Sequence, residues 1–120
     1  MCRDGIAHGR ARALIVNAGN SNAFTGYRGR EAVEQIVDQV AAPLACDPRE
    51  VFVCATGVIG VPLPKDKARA GVAKVIGFDT PSASWEETAQ TITTTDTFPK
   101  GAAASAVVGG PLLGAAVYLV

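Results

Sequence analysis

The chain has no excess of either charge: eleven Lys and Arg balance eleven Asp and Glu in 120 residues. A nucleic-acid or anionic-lipid surface needs a positive patch, so neither kind of partner is expected. Aromatic residues make up only 6% of the chain, too few for a base-stacking platform. The three cysteines, Cys2, Cys46 and Cys54, are odd in number and none stands in a CxxC pair. That argues against a disulfide framework or a zinc site. It favours buried free thiols in a reducing, cytoplasmic setting. His8 is the one histidine. With no partner at catalytic spacing, it reads as a solvated group. No metal and no cofactor are expected. The N-terminus is charged and lacks a long apolar run, so a secretory signal is not expected either. GVIG and NAGN lack the further glycines, or the Gly-Lys-Ser/Thr, that nucleotide phosphates need. No fixed-period repeat is visible.

Apolar residues reach 48% and charged ones only 18%, which excludes a disordered chain. The length suits one domain with a modest core. Arg12 to Asn17 (RALIVN) reads as a strand with both faces buried. It runs into a loop, Asn17 to Asn22, whose asparagines suit left-handed backbone and side-chain-to-backbone bonds. A helix is expected from Gly29, with Val33, Ile36, Val37 and Val40 on one stripe. Pro43 ends it, and Asp47-Pro48 marks a turn. Val51 to Cys54 reads as a second short strand, broken at Ala55-Thr56-Gly57. Such a break leaves N–H groups and a hydroxyl unpaired, which is what an oxyanion hole requires. Most Thr-Gly turns after strands are only turns, and spacing alone favours that plainer reading.

Lys65 to Ile76 reads as a helix that buries Ala68, Val72, Val75 and Ile76, with Gly77 as its cap. A linker, Phe78 to Ala83, follows. Ser84 and Glu87 match a capping box for a helix from Trp85 to about Thr93, with Trp85, Ala89 and Ile92 inward. Thr93 to Lys100 is crowded with hydroxyls. They either bond back to helix carbonyls or line a polar pocket. No charge follows Lys100. Gly109-Gly110-Pro111 would break a membrane helix there, so strand, turn and strand are expected instead.

Three segments carry a resemblance. They are VNAGNSNAFTG (Val16 to Gly26), CATGVIGVPLPKDK (Cys54 to Lys67) and TITTTDTFPK (Thr91 to Lys100). In this order and at these separations they closely resemble the bifunctional ornithine acetyltransferase/N-acetylglutamate synthase family of arginine biosynthesis. HGRARALIVN fits as well, and the likeness covers roughly residues 2 to 100. It implies a layered α+β sandwich of the N-terminal-nucleophile type. It implies a precursor that cleaves itself at an Ala-Thr bond, so that a new N-terminal threonine is the nucleophile and its own amine the base. That threonine moves acetyl from N-acetylornithine to glutamate, and some members also use acetyl-CoA. The resemblance puts the oxyanion pair on Thr56 and Gly57 and a substrate contact on Thr94. It puts the segment with Asn17, Asn20 and Asn22 near the site.

The departures shape the remaining expectations. No lysine follows Lys100 and no threonine follows Thr97. Lys100 belongs to the FPK motif, and Ala55-Thr56 matches the oxyanion motif and not the cleavage point. The substrate-binding lysine, the nucleophile and the family's beta chain are therefore expected to be missing. Residues 1–100 read as a partial domain of the alpha chain, and residues 101–120 as an apolar tail that departs from the family. An internal fragment, left by truncation or frameshift and inactive alone, is the expectation. A degenerate non-catalytic remnant and an aminopeptidase of the same fold are the alternatives.

Overall fold

A computed structural model of the chain describes residues 2–76, 83–107 and 112–117. The chain divides into two compact units, Met1–Thr80 and Pro81–Val120.

The first unit opens with a short helix, α1 (Cys2–Gly5), and a 3-10 turn, Ile6–His8. There follow β1 (Ala13–Asn20), α2 (Gly26–Leu44), β2 (Val51–Val58) and α3 (Lys65–Ile76). β1 and β2 pair in parallel, Ala13 opposite Val51 and Asn20 opposite Val58. Parallel neighbours cannot be joined by a tight turn, and α2 provides the crossover. The expected stripe packs as the core. Ile36, Val37, Val40 and Ala41 of α2 meet Val51 and Val72, with Ala13, Ile15 and Val53 around them. Polar contacts set α3 beside α2. Gln39 Nε2 donates to the Arg69 carbonyl at 2.8 Å, and Lys65 pairs with Glu31 at 2.7 Å.

Several expectations give way. α2 begins at Gly26, three residues early, and carries Pro43 within its last turn. Ala45 then closes it with φ 47°, its N–H returning to the carbonyls of Ala41 and Ala42. Both strands run longer than expected. Asn17 and Asn20 lie within β1, and Thr56 and Gly57 within β2. The sheet is covered on one face only among the described residues. Ala13 and Ile15 turn to α2, while Leu14 stays 63% exposed. Cys2 and Cys54 are exposed, and only Cys46 packs against the core. Val75 is also exposed, because Ala68, Val72 and Ile76, four residues apart, form a narrower line towards the core.

In the second unit, α4 (Trp85–Ile92) starts with the expected capping box. The Glu87 N–H donates to Ser84 Oγ at 3.1 Å, and the Ser84 N–H to Glu87 Oε2 at 2.7 Å. Trp85 is 60% exposed and not inward. It stands at the first position of the helix, a full turn before the buried Ala89. β3 (Ala102–Val107) and β4 (Leu112–Val117) pair antiparallel, as strand–turn–strand requires. The expected turn at Gly109-Gly110-Pro111, the Gly77 cap and linker residues 78–82 lie outside the described residues. No described helix is long and apolar enough to cross a membrane.

Candidate functional site

The C-terminal ends of β1 and β2 bring most of the expected site residues together. Asn17 lies opposite Ala55, Ala18 opposite Thr56, Gly19 opposite Gly57 and Asn20 opposite Val58. The strands stay paired here because both facing glycines take positive φ, 112° at Gly19 and 124° at Gly57. A side chain would be strained at either angle. A Cβ on Gly57 would also fall on the carbonyl carbon and oxygen of Gly19. The ladder therefore passes through the Thr-Gly pair instead of ending before it.

The phase of the ladder decides which donors remain free. Arg12 N–H donates to the Glu50 carbonyl at 2.8 Å, and Ser21 N–H to the Val58 carbonyl at 2.9 Å. Alternate residues of a parallel strand turn N–H and C=O towards the neighbour, so even-numbered residues of β2 face β1. Thr56 directs its own N–H and C=O into the ladder. The Gly57 N–H, trans to that C=O across a planar peptide, points to the outer edge. Strand alternation puts the Thr56 side chain on the face away from α2, with Phe52 and Cys54. Its hydroxyl is half-buried and has no hydrogen-bond partner among the described residues. The two donors are thus one N–H and one hydroxyl, not the row of backbone N–H groups that a strand-ending turn would leave.

The asparagines brace this end of the sheet. Asn17 Nδ2 donates to the Asn20 carbonyl at 2.8 Å. Asn20 Nδ2 reaches the Val61 carbonyl at 3.5 Å. Asn22 Nδ2 donates to the Gly29 carbonyl at 3.2 Å, and its own Oδ1 accepts from the Thr25 hydroxyl at 3.0 Å. Gly29 is buried beneath this pair, and a Cβ there would fall on both side chains. The Gly60 N–H donates to the Ala23 carbonyl at 2.9 Å. The segment after β1 is thereby tied to the chain that follows Thr56-Gly57. Gly19 is the residue that sequence reasoning underrated. Its signal was a glycine between two asparagines, in register with a second glycine that only the fold reveals.

Thr94 belongs to the second unit. It is exposed and follows the end of α4. The hydroxyls of Thr88, Thr91 and Thr93 donate back to the carbonyls of Ser84, Glu87 and Ala89 at 2.8–3.0 Å. The Thr94 hydroxyl has no such bond among the described residues. Asp96 is paired with Lys100, so its carboxylate is already neutralised.

Shifted proton affinities lie elsewhere. At the start of β2, hydrogen bonds from the Arg49 side chain and backbone hold the Asp47 carboxyl well below the usual carboxylate range. The backbone N–H of Ser84 lowers Glu87. A cavity of about 350 Å³ at that same end of β2 is lined by Val33, Val37, Val51 and Val53 among others, and by none of the expected site residues. Among the described residues no three His, Cys, Asp or Glu side chains are grouped to hold a metal ion.

A family model, that of the ArgJ family, matches residues 1–116. The arginine biosynthesis bifunctional protein ArgJ of Zymomonas mobilis is 57% identical over 99 residues, covering 82% of this chain and 24% of that protein. The protein of the same name from Rhizobium meliloti is 46% identical over 109 residues, covering 91% of this chain and 26% of that protein. This chain thus spans about a quarter of the length of these curated relatives. Two solved structures share the fold. The crystal structure of ArgJ from Bacillus halodurans superposes with a TM-score of 0.82 at 29% identity, covering 98% of this chain and 62% of that one. Ornithine acetyltransferase from Mycobacterium tuberculosis, in complex with ornithine, superposes with a TM-score of 0.77 at 34% identity, covering 97% and 63%. The α+β class expected from the segments is the class observed, and the chain belongs to the ArgJ family.

Proposed function

We propose that Thr56 and Gly57 are the oxyanion-stabilising donors of an acetyl-transfer site. The reaction moves acetyl from N-acetylornithine to glutamate in arginine biosynthesis, in the cytoplasm. The observation that carries this reading is the pair of donors left by the ladder, the outward Gly57 N–H and the Thr56 hydroxyl, which has no partner among the described residues. Attack on an acetyl carbonyl puts negative charge on its oxygen. Donors fixed before the reaction stabilise that charge without reorganising. The ornithine complex of the relative from Mycobacterium tuberculosis supports a substrate of this kind.

The nucleophile in this reading is an N-terminal threonine of a separate beta chain, the partner that the resemblance implies. Thr94 contacts the substrate, and the braced Asn17–Asn22 segment holds the oxyanion end of the sheet. Acetyl-CoA is a second acetyl donor in some relatives, and no bound cofactor is required. No threonine follows Thr97 within these 120 residues, so by themselves they are expected not to turn over. Two preparations test this. The purified chain is expected to transfer no acetyl from N-acetylornithine to glutamate. A chimera, in which residues 2–100 replace the matching segment of the Zymomonas mobilis relative, is expected to transfer it. Turnover by the chain alone, or a well-folded but inert chimera, would contradict the reading.

A further inference from the structure

We propose that Gly19 is a positioning residue for the Gly57 N–H, an inference that rests on the reading of that N–H as an oxyanion donor. The two glycines are register partners, and both take mirror-image extended backbone, φ 112° and 124°. The Gly19 carbonyl occupies the place that a Cβ on Gly57 would need, with the Asn20 nitrogen close by. The orientation of the Gly19–Asn20 peptide therefore limits where Gly57 can sit. That orientation depends on the backbone torsions of Gly19, whose φ of 112° an L-residue adopts only with strain. Asn17 holds the next peptide along, Asn20–Ser21, through its bond to the Asn20 carbonyl at 2.8 Å, and so limits Asn20 from its other side.

Space around Gly19 makes the inference separable from packing. A Cβ on Gly19 meets nothing within 4 Å. Gly19→Ala therefore adds no clash and acts only through φ. Gly9 offers a matched control: its φ is 63°, and a Cβ there also meets nothing within 4 Å. It lies before β1, at the other end of the strand from Gly57.

The test reads amide resonances of the full 120-residue chain, isotope-labelled, for Gly19→Ala, Asn17→Ala and Gly9→Ala. The first two are expected to displace the Gly57 amide signal and leave those of Val37 and Val40 in place. Gly9→Ala is expected to leave Gly57 unmoved. If Gly19→Ala does not fold, Asn17→Ala still reports on the placement of Asn20, through the adjoining Asn20–Ser21 peptide. An undisturbed Gly57 signal in both variants, or an equal displacement by Gly9→Ala, overturns the positioning. In the chimera, Gly19→Ala is expected to lower kcat on the order of 100-fold with little change in KM, as for a misplaced transition-state donor. A displaced Gly57 signal with unchanged kcat overturns the oxyanion reading and leaves the positioning standing.

Discussion

Asp47, Glu87 and Thr56 show three ways in which one polar group is settled by its neighbours. Asp47 is exposed, yet Arg49 donates to it from side chain and backbone. Its folded-state carboxyl titrates below the ordinary 3.8, so the pair contributes stability above that pH and loses it as pH falls further. An NMR titration is expected to find the Asp47 midpoint below 3.8, and Arg49→Gln to move it back up. Glu87 behaves alike for a different reason, the reciprocal bonds of a capping box. Ser84→Ala is expected to weaken the start of α4 by about 1 kcal/mol, read by circular dichroism, while the Glu87 midpoint stays below 4.5, because the Ser84 backbone N–H that chiefly lowers it remains. The Thr56 hydroxyl has no hydrogen-bond partner among the described residues, because strand alternation turns it out of the ladder.

Helices and strands differed in how far the sequence reveals them. α2 was legible because Ile36, Val37 and Val40 fall at helical spacing, and all three are buried. α4 was legible from Ser84 and Glu87, since a capping box is local chemistry. The ends of the strands were not legible. Asn17, Asn20, Thr56 and Gly57 are residues of turns by propensity, and only the partner strand holds them extended. Gly19 opposite Gly57 is a relation across some forty residues, which no local window contains. The α3 stripe was legible in part. Val72 is 8% exposed but Val75 is 58% exposed, because α3 presents one narrow line to α2. Val72→Ala is therefore expected to cost about 1–3 kcal/mol of stability in urea unfolding. Val75→Ala is expected to stay within about 0.5 kcal/mol. Equal costs would show that α3 buries both faces.

At the scale of the whole molecule, the β1–β2 sheet matters most for what it leaves uncovered. Leu14 is 63%, Val58 59% and Val16 39% exposed, on the face that also carries Thr56. Contiguous apolar surface of this kind drives association. The purified chain is expected to self-associate with rising concentration in analytical ultracentrifugation, and Leu14→Thr to weaken that association. A strictly monomeric wild-type chain would contradict this account of the face. The same open face suits the proposed chemistry, in which a threonine nucleophile would approach Thr56 and Gly57 from outside the sheet. The central claim is that these two residues stabilise the oxyanion of acetyl transfer, and its most direct test is kcat in the chimera for Thr56→Ala and Thr56→Ser. Thr56→Ala is expected to lose about 100- to 1,000-fold in kcat, with Thr56→Ser keeping most of it. Unchanged kcat in Thr56→Ala, with the chimera folded and active, would contradict the claim.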